Sequence, residues 1–162
     1  MRRALAIFAG ALLAGTAAVA SAIGPTSIPA VDEVIDAPRA LFGKTRAQVE
    51  RTLGPPLGVR AKTGVVRGPA ASGEELHYPG VVIRVAASAR VQRVEMTAAG
   101  FRLPRGLAVG ASRDEVERAL GEPQEMEDAR YLYLYSDGYP DTVEFRFRND
   151  RVKSIEWIYW AE

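Results

Sequence analysis

The sequence predicts an α+β fold in which two tandem units each combine one short helix with an antiparallel β-meander. One residue pattern occurs twice in the same register, from Phe42 to Pro56 and from Val109 to Pro123. Each copy has the start and stop signals of a helix, and each is followed by segments with the alternation of β-strands. A unit of roughly 60 residues is marginal alone. We therefore expect the two sheets to lie side by side, with the helices on one face.

Residues 1–22 predict a secretory signal peptide. Arg2 and Arg3 precede an uncharged apolar run from Ala4 to Val19, and small residues follow at 20–22. The alternative is an uncleaved anchor, because about 20 apolar residues can span a bilayer. The chain contains no cysteine, which excludes a lipid-modified cysteine, disulfides, thiol catalysis and cysteine-ligated zinc.

The charge balance argues against nucleic acid as a partner. The sequence has 21 basic and 20 acidic residues, and two of the basic ones belong to the predicted signal peptide. A nearly neutral mature chain lacks the strong basic footprint that nucleic acids or anionic membranes require. We expect a periplasmic or secreted protein without stable membrane insertion after cleavage and without a cofactor.

Residues 23–39 predict a lead-in segment, either mobile or laid over the body. Gly24, Pro25 and Pro29 interrupt regular structure, and acidic residues run from Asp32 to Asp36. The first repeat is expected at 40–99 and the second at 104–162.

The two helices are predicted from matched capping signals. Thr45 and Ser112 are expected N-caps, and a Gln or Glu three residues later completes a capping box. A Val–Leu pair then forms an apolar stripe, and a Gly followed by Pro ends each helix. Strands are expected in both repeats at 76–78, 81–85, 90–95, 131–135, 143–147 and 151–156.

The string Gly-x-Ser/Thr-x-x-x-Val-x-x-x-Leu-Gly-x-Pro, at 43–56 and 110–123, resembles the repeat of the β-lactamase-inhibitor-protein-like (BLIP-like) fold. That unit occurs singly in SmpA/OmlA (BamE-type) outer-membrane-assembly lipoproteins and in tandem in secreted β-lactamase inhibitory proteins. The resemblance covers about residues 40–160. It implies a binding or scaffold role with a concave sheet as the contact surface. This chain lacks the lipidated cysteine of the first group and the disulfides of the second, so no specific partner is implied.

Catalytic and metal chemistry find little support in the sequence. His77 is the only histidine. A histidine without a nucleophile pattern elsewhere in the sequence is more often an ordinary strand residue than a general base. Asp137 and Asp141 flank a turn, where aspartate is expected for backbone reasons. We predict neither a catalytic residue nor a metal ligand.

The aromatic residues of the second repeat suggest a protein-binding surface. Tyrosine, tryptophan and arginine are enriched at the residues that dominate binding energy in protein interfaces. If these side chains stay uncovered, the second repeat carries the contact surface and the first is scaffold. The candidates are Tyr131, Tyr133, Tyr135, Arg146, Arg148 and Trp160.

Three functions compete at this point. The first is an envelope scaffold or assembly factor that binds another envelope protein. The second is a secreted or periplasmic inhibitor or immunity protein that blocks an enzyme. The third is a small-ligand carrier or an enzyme, which a polar pocket around His77 would favour.

Overall fold

The structure is a computed structural model that describes residues 26–63, 72–136 and 140–160. The predicted signal peptide, and the start of the predicted lead-in segment, lie outside these residues. The described elements, in chain order, are α1 Ile28–Phe42, α2 Arg46–Leu53, β1 Gly58–Thr63, β2 Ser72–Tyr78, β3 Val81–Ala86, β4 Val91–Met96, a 3-10 turn Pro104–Gly106, α3 Arg113–Leu120, β5 Glu125–Glu127, β6 Arg130–Leu134, β7 Thr142–Arg148 and β8 Arg151–Ile158.

The strands form one antiparallel sheet in the order β1-β2-β3-β4-β8-β7-β6-β5. The two halves of the chain meet where β4 pairs with β8, from Arg93 opposite Ile158 to Met96 opposite Ile155. Asn149 and Asp150 connect β7 to β8, and both have a positive φ, as a two-residue hairpin turn requires. The predicted combination of helices with an antiparallel sheet is confirmed.

The sheet has one apolar face, which we call the core face. A cross-strand row on it is buried to 1% exposure or less in every member. The row consists of Leu76, Ile83, Val94, Trp157, Val143 and Tyr133. Helix residues such as Val34, Val49 and Val116 belong to the same hydrophobic cluster. Burial of these side chains is the main stabilising contribution of the fold.

Both short helices begin and end as their capping signals predict, with one difference. The Ser112 hydroxyl accepts from the Glu115 N–H, and the Glu115 carboxylate accepts from the Ser112 N–H, which closes a capping box. The Thr45 hydroxyl also accepts from the Gln48 N–H, at 3.4 Å. The Gln48 side chain, however, accepts from the Lys44 N–H, so the capping box predicted for α2 is wrong by one residue.

Each short helix contacts the following strands in the same way. The Arg46 N–H donates to the Ala89 carbonyl, and the Arg113 N–H donates to the Asp150 carbonyl, both at 2.9 Å. The glycine that ends each helix is contacted by a tyrosine of the sheet. Tyr78 donates to the Gly54 carbonyl at 3.2 Å, and Tyr133 donates to the Gly121 carbonyl at 3.0 Å.

Most of the described part of the predicted lead-in segment belongs to helix α1, whose buried residues lie against the rest of the chain, in agreement with the second of the two alternatives given for this segment. Pro29 lies in the first turn, where a proline costs no hydrogen bond, and Ala30, Val31, Val34 and Ile35 form a buried stripe. Pro38 lies inside the helix and removes the N–H that would bind the Val34 carbonyl. The buried Trp157 Nε1–H donates to this carbonyl at 2.9 Å, which satisfies it from the sheet.

Candidate protein-binding surface

The other face of the sheet is strongly charged, and we call it the open face. Its central cross-strand row alternates with the core row and contains His77, Val82, Glu95, Glu156, Glu144, Leu132 and Glu125. Three glutamates, Glu95, Glu156 and Glu144, are direct neighbours across β4, β8 and β7. Like charges in such positions repel one another. Their arrangement therefore depends on cations nearby.

Arginines from β4 and β7 neutralise this glutamate row. The Arg93 Nε lies 2.7 Å from a Glu156 carboxylate oxygen, and the Arg93 Nη2 lies 3.3 Å from Glu95. The Arg146 Nε donates to Glu144 at 2.5 Å, and its Nη2 lies 3.2 Å from Glu156. Glu156, with 7% of its side chain exposed, thus lies between two guanidinium groups.

Arg130 extends the same network to the sheet edge. Arg130, on β6, lies opposite Arg146 of β7. It donates to Glu144 at 3.2 Å, to Glu125 at 3.1 Å and to Glu127 at 2.8 Å. Hydrogen bonds with Glu127 and Glu144 raise the pKa of Arg130, and the bond with Glu144 raises that of Arg146. The guanidinium groups are therefore held in fixed positions and stay charged.

The network surrounds an open depression of about 720 Å³. Charged residues of β4 to β8 line it, together with Ala129, Phe147 and Ile158. The ten lining residues come from several strands and form a broad, shallow and polar surface. A surface of this kind suits contact with another macromolecule better than enclosure of a small substrate.

Tyr131 and Tyr133 are not part of the open face, and their prediction as exposed binding residues is wrong. They are 2% and 0% exposed and project from the core face of β6. The Tyr131 hydroxyl donates to Glu117 of α3, and burial raises the pKa of Tyr133. The sequence shows that alternate residues of this strand share a face. The register that turns the tyrosines toward α3 depends on pairing with β7, which the alternation does not reveal.

Tyr135 has the same alternation along the chain as Tyr131 and Tyr133, but it lies just beyond the end of β6. It is partly buried, packs against the core and donates to Asp36 of α1 at 3.1 Å. Its hydroxyl therefore joins α1 to the sheet and does not lie on the open face.

The other predicted candidates are exposed. Half of the Arg146 side chain is accessible, Arg148 is exposed at the end of β7, and Trp160, just after β8, is 41% exposed. The Trp160 N–H donates to Asp141, which also forms an ion pair with Arg39 of α1 at 3.0 Å. Asp141, considered above as a turn residue, thus fixes the chain at the base of Trp160.

A second, smaller pocket lies around His77. Its volume is about 140 Å³, and Glu75, His77, Val82, Arg84, Arg93 and Glu95 line it. Arg84 also lies on the open face, but it is only 5% exposed. Sequence reasoning missed Arg84, Arg93 and Arg130 as functional candidates. Their alternation with apolar residues was the available signal. It indicates on which face of a strand each arginine lies, but it does not indicate how deeply the side chain is buried.

Within the described ranges, no group of three or more histidine, aspartate, glutamate or cysteine side chains is placed to hold a metal ion. None of the helices at 26–63, 72–136 or 140–160 is both long enough and apolar enough to cross a membrane.

Comparison with known proteins yields a fold and no family. No protein-family model matches the chain, and no curated protein matches it. A solved structure with a similar fold is an extracellular protein containing a SCP domain from Bacillus anthracis str. Ames. It shares 14% identity with a TM-score of 0.51, and the match covers 76% of this chain and 46% of that one, less than half of its length. At this identity the likeness concerns the fold alone.

Proposed function

We propose that this chain is an exported, non-enzymatic protein-binding module that uses the open face of its sheet to bind another protein of the cell envelope. The observation that carries this proposal is the paired network across β4, β8, β7 and β6 on an accessible sheet face. Its guanidinium groups are held in place by glutamates, so binding costs little additional side-chain ordering. Arg146 belongs to this network, Arg148 follows it on the same face of β7, and Trp160 is exposed just after β8; these residue types contribute strongly to interfaces.

We further propose that the fold arose by duplication of one BLIP-like unit, with the helices covering the core face. The equivalent contacts of Arg46 with Ala89 and of Arg113 with Asp150 support this view. So do the equivalent bonds of Tyr78 and Tyr133 to the helix-ending glycines. Export is supported by the signal peptide that residues 1–22 predict.

An inhibitor or immunity protein would use the same surface, with a secreted hydrolase or toxin as its partner. The scaffold proposal and the inhibitor proposal thus differ in the partner and agree on the face. A small-ligand carrier is the second candidate function, because a polar pocket does lie at His77. Its volume of about 140 Å³ limits such a ligand to a few heavy atoms.

Affinity capture with surface variants tests the protein-binding proposal. The chain without residues 1–22 is immobilised and exposed to envelope extract of its own host. We expect a defined partner, and we expect Arg148→Glu with Trp160→Ala to lower its affinity at least tenfold. Truncation of one of the few residues that dominate an interface costs about 2 kcal/mol or more, which exceeds a tenfold change in affinity.

Arg118→Glu, an exposed charge reversal on α3, is the matched control and should leave capture unchanged. Circular dichroism checks that all variants are folded. Equal capture by the Arg148/Trp160 variant and the native chain would contradict binding through the open face. Retention of an identified enzyme in inactive form would favour the inhibitor over the scaffold.

A further inference from the structure

The pocket at His77 contains an arginine that the protein itself leaves incompletely bonded. Arg84 projects from β3 on the open face and is 5% exposed. Its Nε and Nη2 atoms have no hydrogen-bond partner in the described part of the chain. Burial of a guanidinium without partners is unfavourable, since both the charge and the N–H groups lose water.

The carboxylates beside Arg84 are directed toward other cations. Glu75 lies opposite Arg84 on β2, yet its Oε2 lies 3.6 Å from the Lys62 Nζ and 3.7 Å from the His77 Nε2. On the other side, Arg93 lies opposite Arg84 and forms ion pairs with Glu95 and Glu156. The pocket is therefore lined by a guanidinium that has two N–H-bearing nitrogens without a partner in the described part of the chain.

The size and walls of the pocket define that anion. A water molecule occupies roughly 30 Å³ in the liquid, so about 140 Å³ accommodates a group of a few heavy atoms. Glu75 and Glu95 also line the pocket and repel a doubly charged anion more strongly than a singly charged one. The fork of N–H groups on a guanidinium matches a carboxylate, and Val82 offers an apolar contact for the carbon that bears it.

We propose that this pocket binds a carboxylate on Arg84. The carboxylate belongs either to a protein docked on the open face, in which case this inference rests on the proposed function, or to a small carboxylic acid. In both cases the pairing neutralises a buried charge in the bound state only. Binding of the carboxylate therefore supplies hydrogen-bond partners that the Arg84 guanidinium lacks among the described residues of the free protein.

Titration of the chain, purified after export and labelled with nitrogen-15 arginine, tests the pocket directly. Sodium acetate is added against sodium chloride at constant ionic strength, and the arginine Nε–H signals are followed by NMR. We expect a saturable shift of the Arg84 signal by acetate, with a dissociation constant of roughly 10 mM for so small a ligand. Doubly charged methylphosphonate is expected to bind about tenfold more weakly.

Arg84→Met assigns the signal and should abolish the acetate shift, while Arg51→Met on exposed α2 should leave it intact. No shift of Arg84 in acetate, or the same shift in chloride, would overturn the proposal. If Arg84→Met does not fold, triple-resonance assignment of the native chain identifies the Arg84 Nε–H signal instead, and the acetate titration is read from that signal.

The source of the carboxylate follows from capture experiments with the same variants. If Arg84→Met lowers partner capture at least tenfold, the docked protein supplies the carboxylate. If acetate binds but capture is unchanged, the ligand is a small carboxylic acid and the pocket assignment stands. If Arg148→Glu with Trp160→Ala has no effect on capture while acetate still binds, the proposed function fails independently of the pocket.

Discussion

Two buried aromatic side chains hydrogen-bond to backbone carbonyls of α1. Pro38 deprives the Val34 carbonyl of its helical donor, and Trp157 replaces it. Tyr159, which is fully buried, donates to the next carbonyl, that of Ile35, at 2.8 Å. The residues thus join α1 to β8 through polar contacts within an apolar core. An unpaired buried carbonyl costs about 1–3 kcal/mol, so these bonds specify where α1 lies.

A double-mutant cycle on Trp157 and Pro38 measures this contact. Trp157→Phe should destabilise the native chain by about 2–4 kcal/mol, from the lost indole volume and the orphaned carbonyl. In a Pro38→Ala background the helix regains a donor for Val34, so the same change should cost about 1 kcal/mol less. Urea unfolding of the four proteins gives the coupling. Additive effects would show that the proline and the indole act independently.

The buried tyrosines predict a stability loss in alkali. Burial raises the pKa of Tyr159 well above its ordinary value, and it raises that of Tyr133 as well. A raised pKa in the folded state means that the unfolded chain releases the proton first. Stability is therefore complete below about pH 10 and falls above it, by roughly 1.4 kcal/mol per pH unit for each such tyrosine.

Tyr159→Phe tests this behaviour through the slope rather than the absolute stability, because it also removes the bond to Ile35. Between about pH 9 and pH 11.5, the urea midpoints of this variant should fall less steeply than those of the native chain. The difference between the two slopes should equal the contribution of one tyrosine. An unchanged slope would mean that Tyr159 ionises equally in both states.

Among the elements, the two short helices show how closely local signals can specify structure. Their caps, apolar pairs and terminal glycines were sufficient to predict α2 and α3 to within a residue. Gly54 and Gly121 both have a positive φ, which suits glycine, although their ψ is extended rather than left-handed helical. Local signals failed for α1, because Pro29 and Pro38 resemble helix breakers. Only the packing of its buried stripe and the bond from Trp157 compensate for Pro38.

The difference between the two caps predicts different mutational costs. Ser112→Ala should destabilise by about 1 kcal/mol, because it opens a reciprocal capping box. Thr45→Ala should cost about half as much, since its bond is 3.4 Å long and Gln48 bonds to Lys44. Guanidinium unfolding of both variants gives the two values. Equal costs would remove the distinction between the caps.

The capping box also depends on pH in a defined direction. The hydrogen bond from the Ser112 backbone lowers the pKa of Glu115. A carboxyl group with a lowered folded-state pKa stabilises above its ordinary pKa and loses this contribution as the pH falls through the folded value. The cost of Glu115→Ala, measured by urea unfolding at several pH values, should therefore shrink in acid.

At the scale of the whole molecule, the sheet divides the chain into two chemically distinct surfaces. Strand alternation is readable from the sequence, and in β7 it separates the buried Phe145 and Phe147 from the exposed Arg146 and Arg148. The same alternation could not tell which face of β6 meets the helices, so Tyr131 and Tyr133 were misplaced. Nor could it reveal that Glu95, Glu156 and Glu144 form one row, because register across β4, β8 and β7 is a long-range property.

On the basis of this division we propose that the open face is where another protein binds. Site-specific photo-crosslinking in the native host tests it most directly, with a photoreactive residue at Ile158 or Leu132 on the open face and at Arg51 or Arg118 on the helices. We expect a discrete adduct of one size from both open-face positions and none from the helix positions. Adducts from the helix positions alone, or no discrete adduct from either open-face position, would contradict it.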